Sequence, residues 1–460
     1  MEFIKNNEYI VDIIDMGIEA EGIAKIDGYT IFIKNALVGE KIKIKLIKAN
    51  KNYGFGKIIE IIEKSKDRVK PFCKCFEKCG GCNLQHLDYS KQLEYKLNIV
   101  KNNFRKFGLD DNKIKEIIGM ENPINYRNKA QYPYGIDKDG NIVTGFYAAR
   151  THSIIQNDGC NIEHNISELI NKEIYNLIKK QDISVYNEKS KKGYLRHVII
   201  KVGFSTNEIM VVFVTNSKEN KLDKITKEIT EKFKNIKTVV QNINITNSNV
   251  ILGDKNILLY GNGYIQDYIG KYKFNISPMS FYQVNPIQTE KLYAKVKEYV
   301  GKKADTLFDL YCGVGTIGIY CSEVTQNLYG IEVVKQAIDD AKENAKINNI
   351  QNAHFFAGEA ENEIDKLYDK GIKADTIIVD PPRKGLDKKI IDVFLEKEPN
   401  KIVYVSCNNA TLCRDLELLK DKYEVKECTL FDLFPHTRTC RVLCSIRKSK
   451  IGEKNELFTN

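Results

Sequence analysis

The sequence predicts a multidomain chain: a small five-stranded β-barrel over residues 1–62, an α+β region over 63–267 and an alternating α/β domain over 268–460. Three observations predict it. The N-terminal stretch alternates apolar and polar residues between Gly and Asp-Gly turns, as short half-buried strands do. Cysteines then bunch in PFCKCFEKCGGCNLQHL. From about Lys271 apolar strands alternate with amphipathic helices, the grammar of a mostly parallel sheet covered on both faces.

A chain of 460 residues exceeds one ordinary domain. Its 71 basic against 61 acidic residues leave a formal charge of +10, which weakly favours a polyanionic partner. No apolar run is long enough to span a membrane, and the start MEFIKNNEYI lacks the basic and apolar regions of a signal peptide. The expectation is a cytoplasmic monomer with no membrane contact and no protein partner. In such a chain 12 cysteines read as reduced thiols that hold metal or do catalysis.

In the barrel the expected strands are YIVDII, GIAKI, YTIFI, EKIKIKLIKA and FGKIIEII. Strand periodicity sets Lys41, Lys43 and Lys45 on one face and Ile42, Ile44 and Leu46 on the other. The lysine face suits phosphates, and equally a role in solubility alone. A helix is expected from about Tyr89 to Phe107. Beyond it, NYRNKAQYPYG and GYLRHVIIKVG interleave tyrosines with basic residues, a pattern that suits unstacked bases, although packing is the commoner use of such residues.

The α/β domain carries three motifs, each at the carboxyl end of a strand, where ligands of such sheets sit. Phe308-Asp309-Leu310-Tyr311 closes one strand, and Gly313-Val314-Gly315-Thr316-Ile317-Gly318 turns into a helix, a GxGxxG pattern in its required context. Glu332 ends the next strand, where a carboxylate can accept from both ribose hydroxyls of an adenosine ligand. A nicotinamide cofactor could use the same arrangement, but Asp380-Pro381-Pro382-Arg383 adds a rigid polar loop that dehydrogenases do not need.

The third motif, Ser406-Cys407-Asn408-Asn409, sets a cysteine on a loop after the strand KIVYV. A lone cysteine is more often a small buried hydrophobe, yet this position offers the exposure and polar neighbours a nucleophile needs. Uracil C5 is unreactive until a thiolate adds to C6, after which C5 can attack a sulfonium methyl group. A base must then remove the C5 proton so that elimination frees the cysteine.

Together NISPMSFYQVNP, DLYCGVGTIG, IVDPPRKG, VSCNNATLCRDL and FDLFPHT resemble the ordered motifs of the RNA uracil-C5 methyltransferase family. The cysteine cluster and the barrel resemble its branch acting on 23S ribosomal RNA. The resemblance implies an OB-like TRAM barrel that binds RNA, a central domain with a 4Fe-4S cluster and a Rossmann-like catalytic domain that uses S-adenosylmethionine. It further implies that Gln283, Tyr311, Glu332 and Asp380 contact S-adenosylmethionine and that Cys407 is the nucleophile. Cys73, Cys79, Cys82 and Cys160 would hold the cluster, with Cys75 extra.

Two positions depart from the family. Its proline after Cys-Asn is Asn409, which is expected to loosen the loop. Its general-base glutamate, in Pro-His-Thr-x-His-Val-Glu, aligns with Arg441, and an arginine cannot act as a base. A one-nucleotide frame shift would convert a coding sequence for Thr-Cys-Arg-Val into His-Val-Glu, so residues after Arg438 are expected to depart from family sequence; otherwise Asp432 or solvent replaces the base. Rival readings are a radical enzyme built on Cys75-x3-Cys79-x2-Cys82, a zinc site in the same cysteines, a transfer RNA substrate and a non-catalytic RNA-binding protein.

Overall fold

A computed structural model describes residues 3–157 and 159–449, so residues 450–460 of the expected catalytic domain lie outside the described residues. The barrel is built from Glu8–Asp12, Asp15–Met16, Glu21–Ile26, Tyr29–Lys34, Lys41–Ala49 and Tyr53–Glu63, which form one six-stranded sheet. The expected five become six because Asp15–Met16, outside every expected strand, pairs with Gly22 and Ile23. Ile42, Ile44 and Leu46 are buried and alternate with the lysines as the periodicity required. Lys43 is engaged, however, in an ion pair with Glu8 on the neighbouring strand at 2.7 Å.

The central sheet runs Lys255–Gly261, Ile236–Ile243, Ile209–Thr215, Leu195–Val202, Lys129–Ile136 and Ile142–Thr144 from edge to edge. Helices Asn165–Lys180 and Asp223–Lys232 cover one face, where Val198, Ile200, Val211 and Phe213 pack against Ile174, Ile178, Ile225 and Ile229. Strand alternation sends Ile199, Met210, Val212 and Val214 to the opposite face, where they share a core with Leu292, Tyr293, Val403 and Val405 of the α/β domain. The two domains are therefore packed through one continuous apolar layer.

The α/β sheet has eight strands in the order Ala353–Ala357, Thr325–Glu332, Ala304–Leu310, Thr376–Val379, Lys401–Ser406, Arg441–Lys448, Tyr423–Phe431 and Ile114–Ile118. All pairings are parallel except those of Arg441–Lys448, which runs against both neighbours. Expectations on domain assignment and on the cysteines need correction here. Ile114–Ile118 and the helix Tyr89–Lys106, assigned by sequence to the central region, pack on the catalytic sheet, with Val100, Phe104 and Ile114 in its core. The tail after Arg438 joins the sheet: Arg441 to Ile446 are buried, and register is kept along Lys401–Ser406. Cys428 and Cys444 form a disulfide rather than reduced thiols, because as direct cross-strand partners they bring their Sγ atoms together. No helix among the described residues is long and apolar enough to cross a membrane.

One loop ties these parts together. Asp432, fully buried after the strand Tyr423–Phe431, accepts from Lys96 Nζ at 2.6 Å and from Tyr89 hydroxyl at 3.0 Å, both on the helix Tyr89–Lys106. Neither charged side chain of the pair reaches solvent. A buried pair broken on one side leaves an uncompensated charge. Lys96→Met or Asp432→Asn should therefore lower unfolding free energy by about 3 to 5 kcal/mol, read as a fall in the urea midpoint, with the double variant losing less than the sum.

Candidate active site

The first turn of the site shows why this sequence needs its glycines. Tyr311, Gly313 and Gly315 all take positive φ, at 62°, 54° and 80°, so the chain leaves the strand Ala304–Leu310 through a left-handed path into the helix Thr316–Cys321. Tyr311 holds this conformation without being glycine, the kind of local strain that gathers at ligand sites. A Cβ on Gly318 would stand 2.8 Å from Asp309 Oδ2. That oxygen accepts from Gly318 N–H at 2.8 Å and pins the turn to the strand. Sequence reasoning quoted Asp309 and gave it no role; its place at the inner end of an apolar strand was the available signal.

Glu332 ends the strand Thr325–Glu332, accepting from Gly313 N–H at 3.2 Å and from Val334 N–H at 3.0 Å. The glycine turn and the expected ribose carboxylate thus face each other. Burial pushes the Asp309 carboxyl up to about 7, and the negative charges of Asp380 and Glu332 push the same way. The carboxyl end of this sheet is a crowded acidic edge, suited to a cationic ligand.

Gln283, Asp380 and Arg441 meet at that edge. Arg441 Nη1 donates to Asp380 Oδ1 at 2.8 Å and Nη2 to Gln283 Oε1 at 3.3 Å, while Gln283 Nε2 donates to Asp380 Oδ2 at 3.3 Å. Burial raises the Asp380 carboxyl, and the guanidinium opposes the rise. Arg441 Nε finds no partner among the described residues. The arginine that stands where the family pattern has its base is therefore built into the site.

Cys407 follows the strand Lys401–Ser406 and is half-buried. Its loop is locked to the Asp380 loop, since Asn408 Nδ2 donates to Arg383 O at 3.0 Å and Thr411 hydroxyl to the same carbonyl at 3.3 Å. Asn408 also caps the helix Asn409–Leu419 through Ala410 N–H at 3.1 Å. Asn409 does not loosen this loop: its Oδ1 accepts from Asn103 Nδ2 at 2.9 Å, a tether the family's proline could not form. Asp432, the expected substitute base, is sealed in its pair with Lys96 and cannot reach a ligand.

A second candidate centre lies in the central region. Cys73, Cys79, Cys82 and Cys160 line one cavity of about 200 Å³ together with Arg127, Lys129 and Glu163, whereas Cys75 is not among its lining residues. Burial pushes the Cys82 thiol up to about 12 and raises Cys79 and Cys160. Thiols so placed become thiolates only opposite strong positive charge. Among the described residues no group of three or more His, Cys, Asp or Glu forms a ready site for a metal ion. A cluster of several irons is larger than one ion and holds its four thiolates apart around a cube.

The basic segments expected to meet RNA mostly face inward. Tyr126, Tyr132 and Tyr134 are buried, as are Arg196, His197 and Lys201. Arg196 donates to the carbonyls of Asn244 and Thr246 at 2.9 and 2.7 Å and lies over the Tyr186 ring. Packing thus outweighs base contact in GYLRHVIIKVG.

Known proteins match this chain along most of its length. The family described as tRNA (Uracil-5-)-methyltransferase matches residues 88–447, and the TRAM domain matches residues 5–59. An uncharacterized RNA methyltransferase of Clostridium acetobutylicum is 46% identical over 450 residues, covering 96% of this chain and 98% of that protein. Another from Caldanaerobacter subterraneus is 44% identical over 434 residues, covering 94% and 96%. The crystal structure of Pyrococcus abyssi tRNA (uracil-54, C5)-methyltransferase in complex with S-adenosyl-L-homocysteine superimposes with a TM-score of 0.78 at 27% identity, over 95% of this chain and 100% of that one.

The buried Asp309 carboxyl gives a pH signature. A carboxyl raised in the fold from 3.8 to about 7 adds stability that is complete below about 3.8 and lost as pH rises through about 7. Asp309→Asn, which keeps the acceptor for Gly318 N–H, should flatten the fall in stability between pH 4 and 7 in denaturant titrations. Gly318→Ala should destabilise the fold by about 1 to 3 kcal/mol through overpacking against Asp309 and Leu328.

Proposed function

The chain belongs to the tRNA (uracil-5-)-methyltransferase family, as an S-adenosylmethionine-dependent RNA methyltransferase with an N-terminal TRAM domain, and from that premise we propose that it methylates C5 of a uridine in 23S rRNA through Cys407. The observation that carries the proposal is the locking of the Cys407 loop to the Asp380 loop beside the glycine turn. Gln283, Tyr311, Glu332 and Asp380 would hold S-adenosylmethionine, whose sulfonium supplies the methyl group when bound.

Cys407 thiolate adds to C6 of the uracil, and the electron pair released at C5 takes the methyl group. The C5 proton must then pass to a base as the bond from C6 to sulfur breaks. Of the carboxylates proposed for the site, Glu332 is assigned to the cofactor ribose and Asp380 is held in an ion pair by Arg441, which occupies the family position of the base, so none is left to take the C5 proton. Addition and transfer proceed by this reading, and release is the slow step.

Support for RNA on the barrel comes from its surface. Tyr53 and Phe55 are exposed and stand edge to face with ring centroids 5.8 Å apart, beside Phe32 and with Lys48 as the register partner of Phe55. Aromatic faces with neighbouring cations are platforms for unstacked bases. The 23S rRNA reading rests on the resemblance of the cysteine cluster and barrel to that branch. The transfer RNA reading is favoured by the structural neighbour, whose own substrate is tRNA uracil-54.

Cys73, Cys79, Cys82 and Cys160 fit a 4Fe-4S cluster in the cavity they line, which would staple the loop 73–82 to the segment around Cys160. Protein purified without oxygen should carry iron and sulfide with broad visible absorption, and Cys82→Ser should lose both while Cys75→Ala keeps them. Zinc without sulfide would replace the cluster reading with the zinc one.

Methyl-labelled S-adenosylmethionine with unmodified 23S rRNA and, in parallel, unmodified tRNA should label one RNA in a Cys407-dependent way. The label should accumulate in a protein–RNA adduct on denaturing gels, and Arg441→Glu should shift it toward free RNA by at least tenfold. Labelling of tRNA alone would replace the ribosomal reading. Labelling that survives Cys407→Ala would overturn the mechanism.

A further inference from the structure

Lys201 is a buried cation that the function above does not use. It lies on the strand Leu195–Val202, where alternation puts it with Ile199 on the face toward the α/β domain. Its ammonium donates to three backbone carbonyls of one short turn: Ser277 at 2.8 Å, Pro278 at 3.0 Å and Ser280 at 3.1 Å. These are the residues immediately before Gln283, within NISPMSFYQVNP. Burial pulls the Lys201 amine down to about 7, and the charge on Lys129, its register partner on the adjacent strand, adds to the cost.

A buried ammonium beside a second lysine is expensive, and a methionine would fill the same space without that cost. What the lysine supplies is geometry, since three carbonyls pulled to one point fold the turn inward. From the other side Asp340, on the helix Lys335–Ile347, accepts from Ser280 hydroxyl at 3.1 Å and from Ser277 hydroxyl at 3.4 Å. Downstream, Asn128 Nδ2 donates to Gln283 O at 2.9 Å and its N–H to Val284 O at 2.9 Å. The Tyr282 hydroxyl finds no partner among the described residues. Within the turn the Ser277 and Ser280 hydroxyls bond each other at 2.7 Å, and Lys201, Asp340 and Asn128 tie the turn and the residues after it to the rest of the fold.

We propose that Lys201 is a positioning residue: by gathering the carbonyls of residues 277–280 it sets Gln283 against Asp380 in the cofactor site, from a strand of a different domain. This rests on the reading of Gln283 as a cofactor residue. The central sheet then takes part in cofactor binding, through one cation that touches neither cofactor nor RNA.

The test compares wild type with Lys201→Met in the full chain by calorimetric binding of S-adenosylhomocysteine and by steady-state methylation of the RNA accepted by the wild type. Lys201→Met should raise the S-adenosylhomocysteine Kd and the KM for S-adenosylmethionine at least tenfold, with kcat and the KM for RNA changed less than threefold. Should Lys201→Met not fold, Lys201→Gln, which retains an amide donor for part of the carbonyl set, should show the same split at smaller size. Unchanged S-adenosylhomocysteine binding in a folded variant overturns the proposal, as does failure of both variants to fold, which would leave Lys201 a purely structural role. Wild-type protein that binds no S-adenosylhomocysteine overturns the cofactor reading, and the proposal with it.

Discussion

Lys96 and Asp432 are both withdrawn from water, and their ion pair anchors the loop on which the other parts of the molecule converge. Lys96 also donates to Phe434 O at 3.1 Å, so the helix Tyr89–Lys106 holds both the start and the middle of residues 432–437. Around that anchor, Asn83 and Leu84 N–H groups donate to His436 O at 2.9 and 3.0 Å, bringing the cysteine loop in. Tyr126 hydroxyl donates to Pro435 O at 3.0 Å from the central domain, and Asn285 Nδ2 to Leu433 O at 3.1 Å from the Gln283 segment. The carbonyls of an irregular loop buried at the meeting of domains must find donors, and here Thr437 of the loop itself supplies some to Phe434 O while the rest come from several parts of the chain.

That convergence explains how a site assembled from distant segments is held without a ligand. Gln283 comes from the segment stitched to the central sheet, Asp380 from a loop locked to the Cys407 loop, and Arg441 from the strand that begins just after the anchored residues. The shared apolar layer between the central sheet and the α/β domain supplies adhesion but no register. Direction comes from the hydrogen bonds across it, which only one alignment of the two faces satisfies.

Much of the α/β domain was legible because its signals are local. The run DTIIVDPPRKG declares a buried strand and a stiff loop, and DLYCGVGTIG a strand, a left-handed turn and a helix, from residues that are neighbours in the chain. Ile114–Ile118 was missed as a catalytic strand because its partner Tyr423–Phe431 lies some three hundred residues away, and periodicity does not name partners. Arg196 and Lys201 stood between two readings for the same reason, since a basic residue on a strand is an RNA contact or a buried clamp according to carbonyls that arrive from residues 244–280. The strand at residues 441–448 was legible for the same local reason, since VLCSI reads as a buried strand whatever precedes it.

The electrostatics of the sheet edge give Arg441 its meaning. The charges of Asp380 and Glu332 both act on buried Asp309, and a buried carboxylate such as Asp380 is stabilised by standing opposite a cation. Arg441 provides that cation permanently for Asp380, with a second bond to Gln283 that a lysine's compact ammonium would make less well. A glutamate at the same place would add a fourth carboxylate to the edge, and mutual repulsion would raise its proton affinity, which is the property a base for the C5 proton requires. On the proposed mechanism, an arginine at this position would therefore act on one step through one charge, while the Cys407 loop, the glycine turn and the strand that carries position 441 are all in place in the fold.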